Sequence, residues 1–350
     1  MASRVMVCGV LALLLPGVAH GADFLLGPPP SEGPVEVRGG VFLSDVNAVT
    51  EQEETFEFEG ILTLSWRDAR QRFDPAEAGV SEKVYQGNYQ FAEVFDGWWP
   101  QVFLVNESGD FVSQAVLLRV QPDGSLTLIQ EFNAVAEMPM NLRRFPFDRQ
   151  EFEAIFEVLG FGPDRVRLVP DPGATGSAER LAHIAQWVLH GVGVAVHEDR
   201  VSYADGSSQP ASQLVFTLDL AREPGHLLRL VVAPLTLLVV LTFSVFWMDR
   251  ESLGDRMDIS FIGVLSLVAY QIVMSDQMPA IAYVTLMHGF LYSTYLLLAA
   301  GVGINLVVSK LDQAGRKEAG NRIDVACRWA FPLAFVGLNA LNALYFLAFP

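Results

Sequence analysis

The sequence predicts an extracellular β-sandwich, immunoglobulin-like and mostly antiparallel, followed by an all-α domain of four membrane-spanning helices. Residues 23–225 contain many short alternating stretches separated by Gly, Pro and Asp turns, as in a β-sandwich. Residues 226–350 contain four long apolar stretches. The balance of acidic and basic residues changes at the same boundary. The whole chain has a net charge of −17, whereas residues 226–350 contain eight acidic and eight basic residues. The two halves are therefore expected to occupy different environments.

The first 22 residues have the pattern of a secretory signal peptide and are excluded from the fold. A basic residue, Arg4, precedes an apolar run through Leu15, and small residues follow around positions 19–22. Of the two cysteines, Cys8 lies in this segment and Cys327 in a late apolar stretch. The mature chain is therefore expected to have no intrachain disulfide, although it is exported.

Strands are predicted where apolar and polar residues alternate. These stretches are TFEFEGILTLSW, SQAVLLRV and SLTLIQEF on either side of the turn QPDG, QEFEAIFEV, VLHGVGVAVH, and QLVFTLDL immediately before the membrane domain. Successive side chains of a strand point to opposite faces. QEFEAIFEV is therefore expected to bury Phe152, Ala154, Phe156 and Val158 on one face.

Four membrane spans are predicted at about 227–247, 257–275, 280–308 and 325–349. The polar segment SKLDQAGRKEAGN separates spans three and four. An exported N-terminus places this loop in the cytoplasm, where Lys310, Arg316, Lys317 and Arg322 satisfy the positive-inside rule. We expect a multi-pass protein of the bacterial inner membrane, with residues 23–225 on the periplasmic side and membrane lipids around the helices.

The second span contains a stripe that is acidic at both ends and apolar between them. Spacings of 4, 3, 4, 3 and 4 residues place six side chains on one helical face. These are Asp258, Ile262, Leu265, Ala269, Ile272 and Asp276, with Asp255 one turn below. Several copies of this helix around an axis would form rings of negative charge at each mouth of a pore. The apolar side chains between the rings would form a constriction that can close by excluding water. Ordinary packing, with the aspartates marking the helix ends, is the alternative from periodicity alone.

The composition excludes some functions and leaves others open. The acidic first half disfavours nucleic acid and suits cations, divalent metals or amines. No nucleophile–base arrangement, P-loop or dinucleotide fingerprint is found, so neither an enzyme nor a cofactor is expected. His183, His190 and His197 recur every seven residues, but two of them lie in a strand-like stretch whose odd spacing separates them. A zinc site is therefore not expected, and modulation by divalent cations stays open.

Several segments, in order, resemble the pentameric ligand-gated ion channels, or Cys-loop receptor superfamily, most closely its amine-gated bacterial members. FPFDRQ at 145–150 resembles the signature loop, with Met138 and Phe152 where animal members have the bridging cysteines. The other matching segments are LSDVNAVTEQEETFEFEGILTLSWRDARQRFDP, with Trp66, Arg67, Asp68 and Arg70; WWPQVFLVNESG, with Gln101 in place of an aspartate; Pro234; LSLVAYQIVMSDQMPAIAYVT; and RIDVACRWAFPLAF.

The resemblance implies a homopentamer whose second spans line a pore for monovalent cations. Asp255 occupies the position of the acid that confers cation selectivity, and Asp258 and Asp276 add further acidic rings. Leu265 matches the gate leucine. Ile262 replaces a polar residue, so the dry segment from Ile262 through Ala269 to Ile272 is long, and we expect a resting pore with little leak.

The resemblance also implies a set of residues that couples the two domains. Arg222, just before the first span, matches the arginine that pairs with the signature-loop aspartate, here Asp148. Pro146 and Phe147 are expected to press on the loop containing Pro279. Glu51 and Glu53 of the first strand turn join them. Without the family, an ordinary surface salt bridge is the alternative.

A small-molecule agonist, an amine or protons, is implied between subunits, often with a cation against aromatic rings. The candidates by position are Phe91, Phe95, Glu131, Phe132, Phe161 and Tyr203.

Two rival functions compete with a channel. A membrane-anchored exported enzyme would need a convergent set of catalytic residues, and none is found in this sequence. A non-conducting periplasmic sensor would need a cytoplasmic effector, and the segment between spans three and four is too short to be one.

Overall fold

The computed structural model describes residues 27–178, 186–202, 208–249, 252–275 and 281–348. A β-sandwich is followed by four apolar helices, which confirms the predicted fold class. The change between them is abrupt. The last strand ends at Arg222 and the first helix begins at Gly225, so two residues separate a sheet from a membrane span.

Eleven strands form two sheets in the described part of the chain. They are β1 (Val35–Thr50), β2 (Thr55–Arg67), β3 (Lys83–Gln86), β4 (Val102–Leu104), β5 (Val112–Val120), β6 (Ser125–Glu137), β7 (Arg149–Val158), β8 (Val166–Pro170), β9 (Gly176–Ser177), β10 (Trp187–Ser202) and β11 (Ser208–Arg222). One sheet has the order β3-β5-β6-β2-β1-β8, with β9 also paired to β1, and the other has the order β10-β11-β7-β4. All pairings are antiparallel except those of β1 with β8 and β9.

The predicted strands are present, and their alternation sets which face is buried. In β7 the side chains of Phe152, Ala154, Phe156 and Val158 are all buried, as expected from the spacing. The turn QPDG joins β5 to β6. Gly124 in this turn has φ +82°, and a Cβ there would lie 2.6 Å from the Asp68 carbonyl oxygen. This close approach of the backbone requires glycine.

Aromatic rings hold the two sheets together. Phe58 of β2 meets Phe132 of β6 at 5.5 Å between ring centroids, and Phe132 meets Phe156 of β7 across the sandwich at 5.7 Å. Phe56 of β2 meets Phe152 of β7 at 5.1 Å. Edge-to-face pairs at these distances add specific packing to the burial of large apolar surfaces. Phe152, which stands at one of the cysteine positions of animal receptors, is therefore a core residue here.

The membrane domain consists of α1 (Gly225–Trp247), α2 (Leu253–Ser275), α3 (Leu286–Gln313) and α4 (Lys317–Ala348). α2 begins at Leu253 instead of 257 and α4 at Lys317 instead of 325, because hydropathy detects only the apolar part of a helix. α3 begins later than predicted, at Leu286 instead of 280, because the Thr285 side chain caps it there by accepting from the His288 backbone N–H. The expected thirteen-residue loop between α3 and α4 shrinks to residues 314–316, because its polar residues continue the two helices.

α1 changes its hydrogen-bonding pattern near Pro234. Residues Leu228–Val232 form a π-helical turn, and a regular α-helix follows over Ala233–Phe243. Proline lacks a backbone N–H and disturbs the preceding turn of a helix. A π-turn is one of the local adjustments that accommodate such a residue within a continuous span.

An exposed ion pair on the second sheet makes its stability depend on pH. Arg149 of β7 donates through Nε to Asp219 of β11 at 2.6 Å, and its Nη2 also contacts this carboxylate. The hydrogen bonds from Arg149 lower the pKa of Asp219. A carboxylate whose folded pKa is depressed stabilises the protein above its unfolded pKa, and this contribution disappears as pH falls through the folded pKa.

We therefore expect Asp219→Asn to lower the thermal unfolding midpoint at pH 7, with the difference from wild type shrinking as pH falls below the ordinary carboxyl range and through the lowered pKa of Asp219. Thermal unfolding of the purified protein over this pH range measures this. Glu93→Gln, at another exposed acid, is the matched control and should leave the midpoint unchanged throughout. A deficit of Asp219→Asn that persists at low pH would contradict the ion-pair explanation.

Candidate functional site

α2 leaves the predicted stripe uncovered within the subunit. Leu265 is 70% exposed, and Ile262 and Ile272 are similarly exposed. Asp255, Asp258 and Ala269 are exposed on the same helix. Asp276 lies outside the described residues. The described side chains of this stripe are therefore not packed against the other helices of the same subunit.

The opposite face of α2 packs against the rest of the bundle. Leu267, two residues from Leu265, is completely buried, and Arg256, Ser260 and Met274 are also buried. At Gly263 a Cβ would lie 2.5 Å from Thr242 Oγ1 of α1, so the two helices are in close contact. The neighbouring helices thus determine which face of α2 remains free.

A buried ion pair lies where the sandwich meets the membrane helices. Arg222 donates from Nε to Asp148 Oδ1 at 2.9 Å and from Nη1 to Glu51 Oε1 at 2.5 Å. The side chains of Arg222 and Asp148 are only 1% and 2% exposed, and that of Glu51 is 21% exposed. The predicted pairing of Arg222 with Asp148 is present, and a surface salt bridge does not describe it. Glu51, predicted only as a member of the coupling set, is a second partner of Arg222.

Aromatic rings and an amide surround this junction cluster, defined as Glu51, Asp148 and Arg222. The guanidinium carbon of Arg222 lies 4.2 Å from the Trp187 ring centroid and 4.9 Å from that of Phe145. Gln150 donates from Nε2 to Asp148 Oδ2 at 2.8 Å and to the Asn141 carbonyl oxygen at 2.9 Å. Cation–π contacts of a desolvated guanidinium add to its ion pairs and fix its position.

Other predicted coupling residues have different surroundings. Phe147 is 42% exposed at the tip of the signature loop. Pro146 follows Phe145 through a cis peptide bond. Glu53 is exposed, and Pro279 lies outside the described residues. The neighbouring Glu54 was not predicted. Its carboxylate accepts from the Met140 backbone N–H at 3.0 Å, and its carbonyl accepts from that of Met138 at 2.7 Å.

The signature loop is bonded directly to the start of α3. The Leu286 backbone N–H donates to the Arg143 carbonyl oxygen at 2.9 Å. Tyr283 accepts at its hydroxyl from the Leu142 backbone N–H at 3.0 Å and donates to the Met140 carbonyl at 3.3 Å. Sequence patterns gave no signal for these contacts, because they depend on backbone groups of a loop. The two domains are thus joined by hydrogen bonds as well as by the chain itself.

The predicted ligand residues have different ring partners in the structure. Phe91 and Phe95 belong to an aromatic cluster with Trp99 and Tyr85. Phe161 lies elsewhere, with Trp98 at 6.2 Å and the Arg165 guanidinium over its ring. Tyr203 lies outside the described residues.

Two candidates need correction, because the subunit itself covers them. Phe132 is completely buried in the sandwich core and Phe95 is 4% exposed, so neither ring is available to a ligand from outside. Glu131, the neighbour of Phe132, is exposed on the outer surface of its sheet. Trp99, which sequence reasoning did not select, is half-buried in the aromatic cluster.

Metal binding finds no support in the described part of the chain, where no group of three His, Cys, Asp or Glu side chains could hold an ion. His190 and His197 both lie on β10, with a register irregularity between Leu189 and Gly191. His183 lies outside the described residues.

We expect Arg222→Gln to lower the free energy of unfolding by about 3–5 kcal/mol, because Asp148 and Glu51 would be left as uncompensated charges. Thermal or chemical unfolding in detergent measures this loss. Arg167→Gln, at the exposed pair of Arg167 with Glu198 (3.7 Å), is the matched control and should change stability far less. Equal losses in the two variants would show that burial of the junction cluster has no energetic consequence.

Comparisons with known proteins agree with both halves of this architecture. The neurotransmitter-gated ion-channel ligand binding domain matches residues 20–224, and the neurotransmitter-gated ion-channel transmembrane region matches residues 231–319. A proton-gated ion channel of Gloeobacter violaceus is 24% identical over 330 residues, which cover 94% of this chain and 88% of that protein.

Two animal receptor subunits are similar over shorter stretches. The acetylcholine receptor subunit beta of Xenopus laevis is 26% identical over 289 residues, or 79% of this chain and 56% of that protein. The glycine receptor subunit beta of Rattus norvegicus is 23% identical over 291 residues, or 82% and 57%. This chain therefore spans little more than half the length of these two relatives.

The two family matches coincide with the sandwich and with the first three apolar helices, and together they extend over most of the chain. The relatives are channels and not enzymes. The chain therefore belongs to the neurotransmitter-gated ion-channel family, the ligand-gated channels of the Cys-loop receptor superfamily.

Proposed function

We propose that this chain forms a homopentameric, cation-selective channel in the bacterial inner membrane, with its β-sandwich on the periplasmic side. The observation that carries the proposal is the exposed, acid-ended face of α2. Leu265, Ile262 and Ile272 are exposed on it although Leu267 on the other face is fully buried. Five such faces around an axis form a pore with a dry middle, which opens when the apolar rings separate and water enters.

The acids distinguish this face from a lipid-facing one. Asp258 lies at the edge of the predicted apolar stretch, where a charge is costly unless it meets water. The exposed side chains of α4 provide the comparison. Trp329, Leu333, Val336 and Leu344 are strongly exposed, and such uninterrupted apolar surface suits lipid tails. α2 therefore faces the pore and α4 faces the bilayer.

Selectivity and modulation follow from the charges of α2. Asp255 and Asp258 form negative rings at the mouth where α2 begins, and Asp276 supplies acids at the other end. Such rings attract cations and repel anions. Two acidic rings one turn apart also favour block or modulation by divalent cations. The relatives include an acetylcholine receptor subunit and a glycine receptor subunit, so the family name alone does not decide the permeant ion.

Gating is proposed to pass through the junction cluster. An agonist that binds between sandwiches changes the position of the signature loop, which is tied to Arg222 by Asp148 and to α3 by the bond from Leu286 to Arg143. α3 contacts α2 through Tyr295, whose hydroxyl donates to Gln271 at 2.8 Å. The proposed agonist is either an amine or the proton. One relative is named as a proton-gated ion channel.

We expect Leu265→Ala to raise the standing sodium current at least about tenfold, because shortening five gate leucines removes apolar contacts worth more than about 1.4 kcal/mol in total. Currents are recorded from cells with verified surface expression, before and after sodium is replaced by a large organic cation. This test needs no agonist.

Leu267→Ala is the matched control, since it shortens a leucine of the same helix on the buried face. It should produce no sodium-dependent standing current. Silence of Leu265→Ala with protein at the surface, or equal currents from both variants, would contradict the proposed pore face.

We further expect Asp255→Asn to lower the ratio of cation to anion permeability about tenfold, the change that follows when a ring of charges loses about 1.4 kcal/mol of attraction. Reversal potentials in a sodium chloride gradient measure the ratio, with Leu265→Ala as the conducting background. Glu318→Gln, at an exposed acid near the start of α4, is the control. An unchanged ratio in Asp255→Asn would place selectivity elsewhere.

A further inference from the structure

A polar cluster lies inside the helix bundle near the end at which α2 begins. Arg256 of α2 donates from Nη2 to Asp324 Oδ1 of α4 at 2.8 Å and from Nη1 to Oδ2 at 3.2 Å. One turn further along α2, Ser260 accepts from Asn305 Nδ2 of α3 at 3.2 Å. Side chains from three helices thus meet at one buried site.

The ion pair of this cluster is almost completely shielded from solvent. The Arg256 and Asp324 side chains are 2% and 3% exposed. Arg256 Nε has no hydrogen-bond partner among the described residues. The two-pronged contact with Asp324 is therefore the contact that neutralises this guanidinium. A buried arginine that loses its carboxylate is left as an uncompensated charge, which is strongly unfavourable.

Arg256 is the direct neighbour of Asp255, the exposed acid of the proposed selectivity ring. Consecutive residues of an α-helix point about 100° apart, so the two side chains leave the helix in different directions. An arginine side chain is long and can extend to bring its charge to water when no partner holds it. In the proposed channel, water is available to this side chain at the pore mouth beside Asp255.

We propose that Asp324 of α4 is a positioning residue for ion selectivity. It holds the charge of Arg256 inside the bundle and thereby keeps it away from the acids of the pore mouth. This inference rests on the proposed cation-selective pore, and it adds a specificity-determining role for a residue of the outermost helix. The pore mouth is negative because each subunit presents Asp255 and Asp258 there, while Asp324 of α4 neutralises Arg256 inside the bundle.

The test compares Asp324→Asn with the double variant Arg256→Met and Asp324→Leu, both in the conducting Leu265→Ala background. The uncharged amide of Asp324→Asn cannot neutralise Arg256, so the cation moves towards the pore mouth. We expect the cation to anion permeability ratio to fall at least about fivefold, the factor by which a single unit charge about 4 Å away disfavours a cation in water. The double variant has no misplaced cation, and its ratio should return to that of the background.

Asn339→Ala is the matched control. Asn339 of α4 accepts from Ser293 of α3 at 3.0 Å, so this variant also removes a polar contact between two helices. It brings no charge to the pore and should leave the reversal potential unchanged. Single-channel recording determines the permeability ratio even when few channels reach the surface. Co-expression with subunits that carry Leu265→Ala alone should give intermediate ratios if Asp324→Asn subunits do not assemble by themselves.

The outcomes separate the two levels of inference. No sodium-dependent current in the Leu265→Ala background would overturn the proposed pore. A current whose reversal potential is the same with and without Asp324→Asn, in pure or mixed channels, would overturn the role of Asp324 alone. A shift that the double variant does not reverse would also overturn it, because the cause would then be altered helix packing instead of the freed arginine.

Discussion

The buried charge of Arg222 is the constraint on which the relation between the two domains depends. Arg222 is separated by two residues from the first membrane helix, and its guanidinium has almost no contact with solvent. A charge in such a place must be neutralised, and the two carboxylates that do so come from Glu51 and Asp148, far away in the chain. The β1–β2 turn, the signature loop and the end of β11 are therefore tied to one point.

The same physical rule operates in the membrane domain. Arg256 is buried and paired with Asp324, whereas its neighbour Asp255 is exposed. In both domains a buried arginine orients the segments around it, and α2 keeps its exposed acids on the face that the bundle leaves free. Packing of Gly263 against α1 and burial of Leu267 decide which face this is. Charge placement and helix packing are thus two aspects of one arrangement.

Alternation and spacing in the sequence predicted more about surfaces than about contacts. The buried face of β7 and the exposed stripe of α2 follow from periods of two and 3.6 residues, and the structure has both. Phe132 and Phe95 show where this kind of reasoning fails. An aromatic residue at a family position can face a ligand or the core, and only the neighbouring strands determine which. Glu54 and Tyr283 escaped prediction because their partners are backbone groups distant in the chain. Trp99 escaped it because its contacts with Phe91 and Phe95 depend on how this short segment folds.

By itself, the sequence determined the two-domain architecture, the strand alternation, the presence of four apolar spans and the acid-ended stripe. These features are local, since they depend on composition and periodicity within a segment. Only the tertiary structure decided the helix ends, the burial of Arg222 with its two carboxylates, the bonds from the signature loop to α3 and the pairing of Arg256 with Asp324. These features join residues far apart in the chain, and packing in three dimensions determines which of them meet.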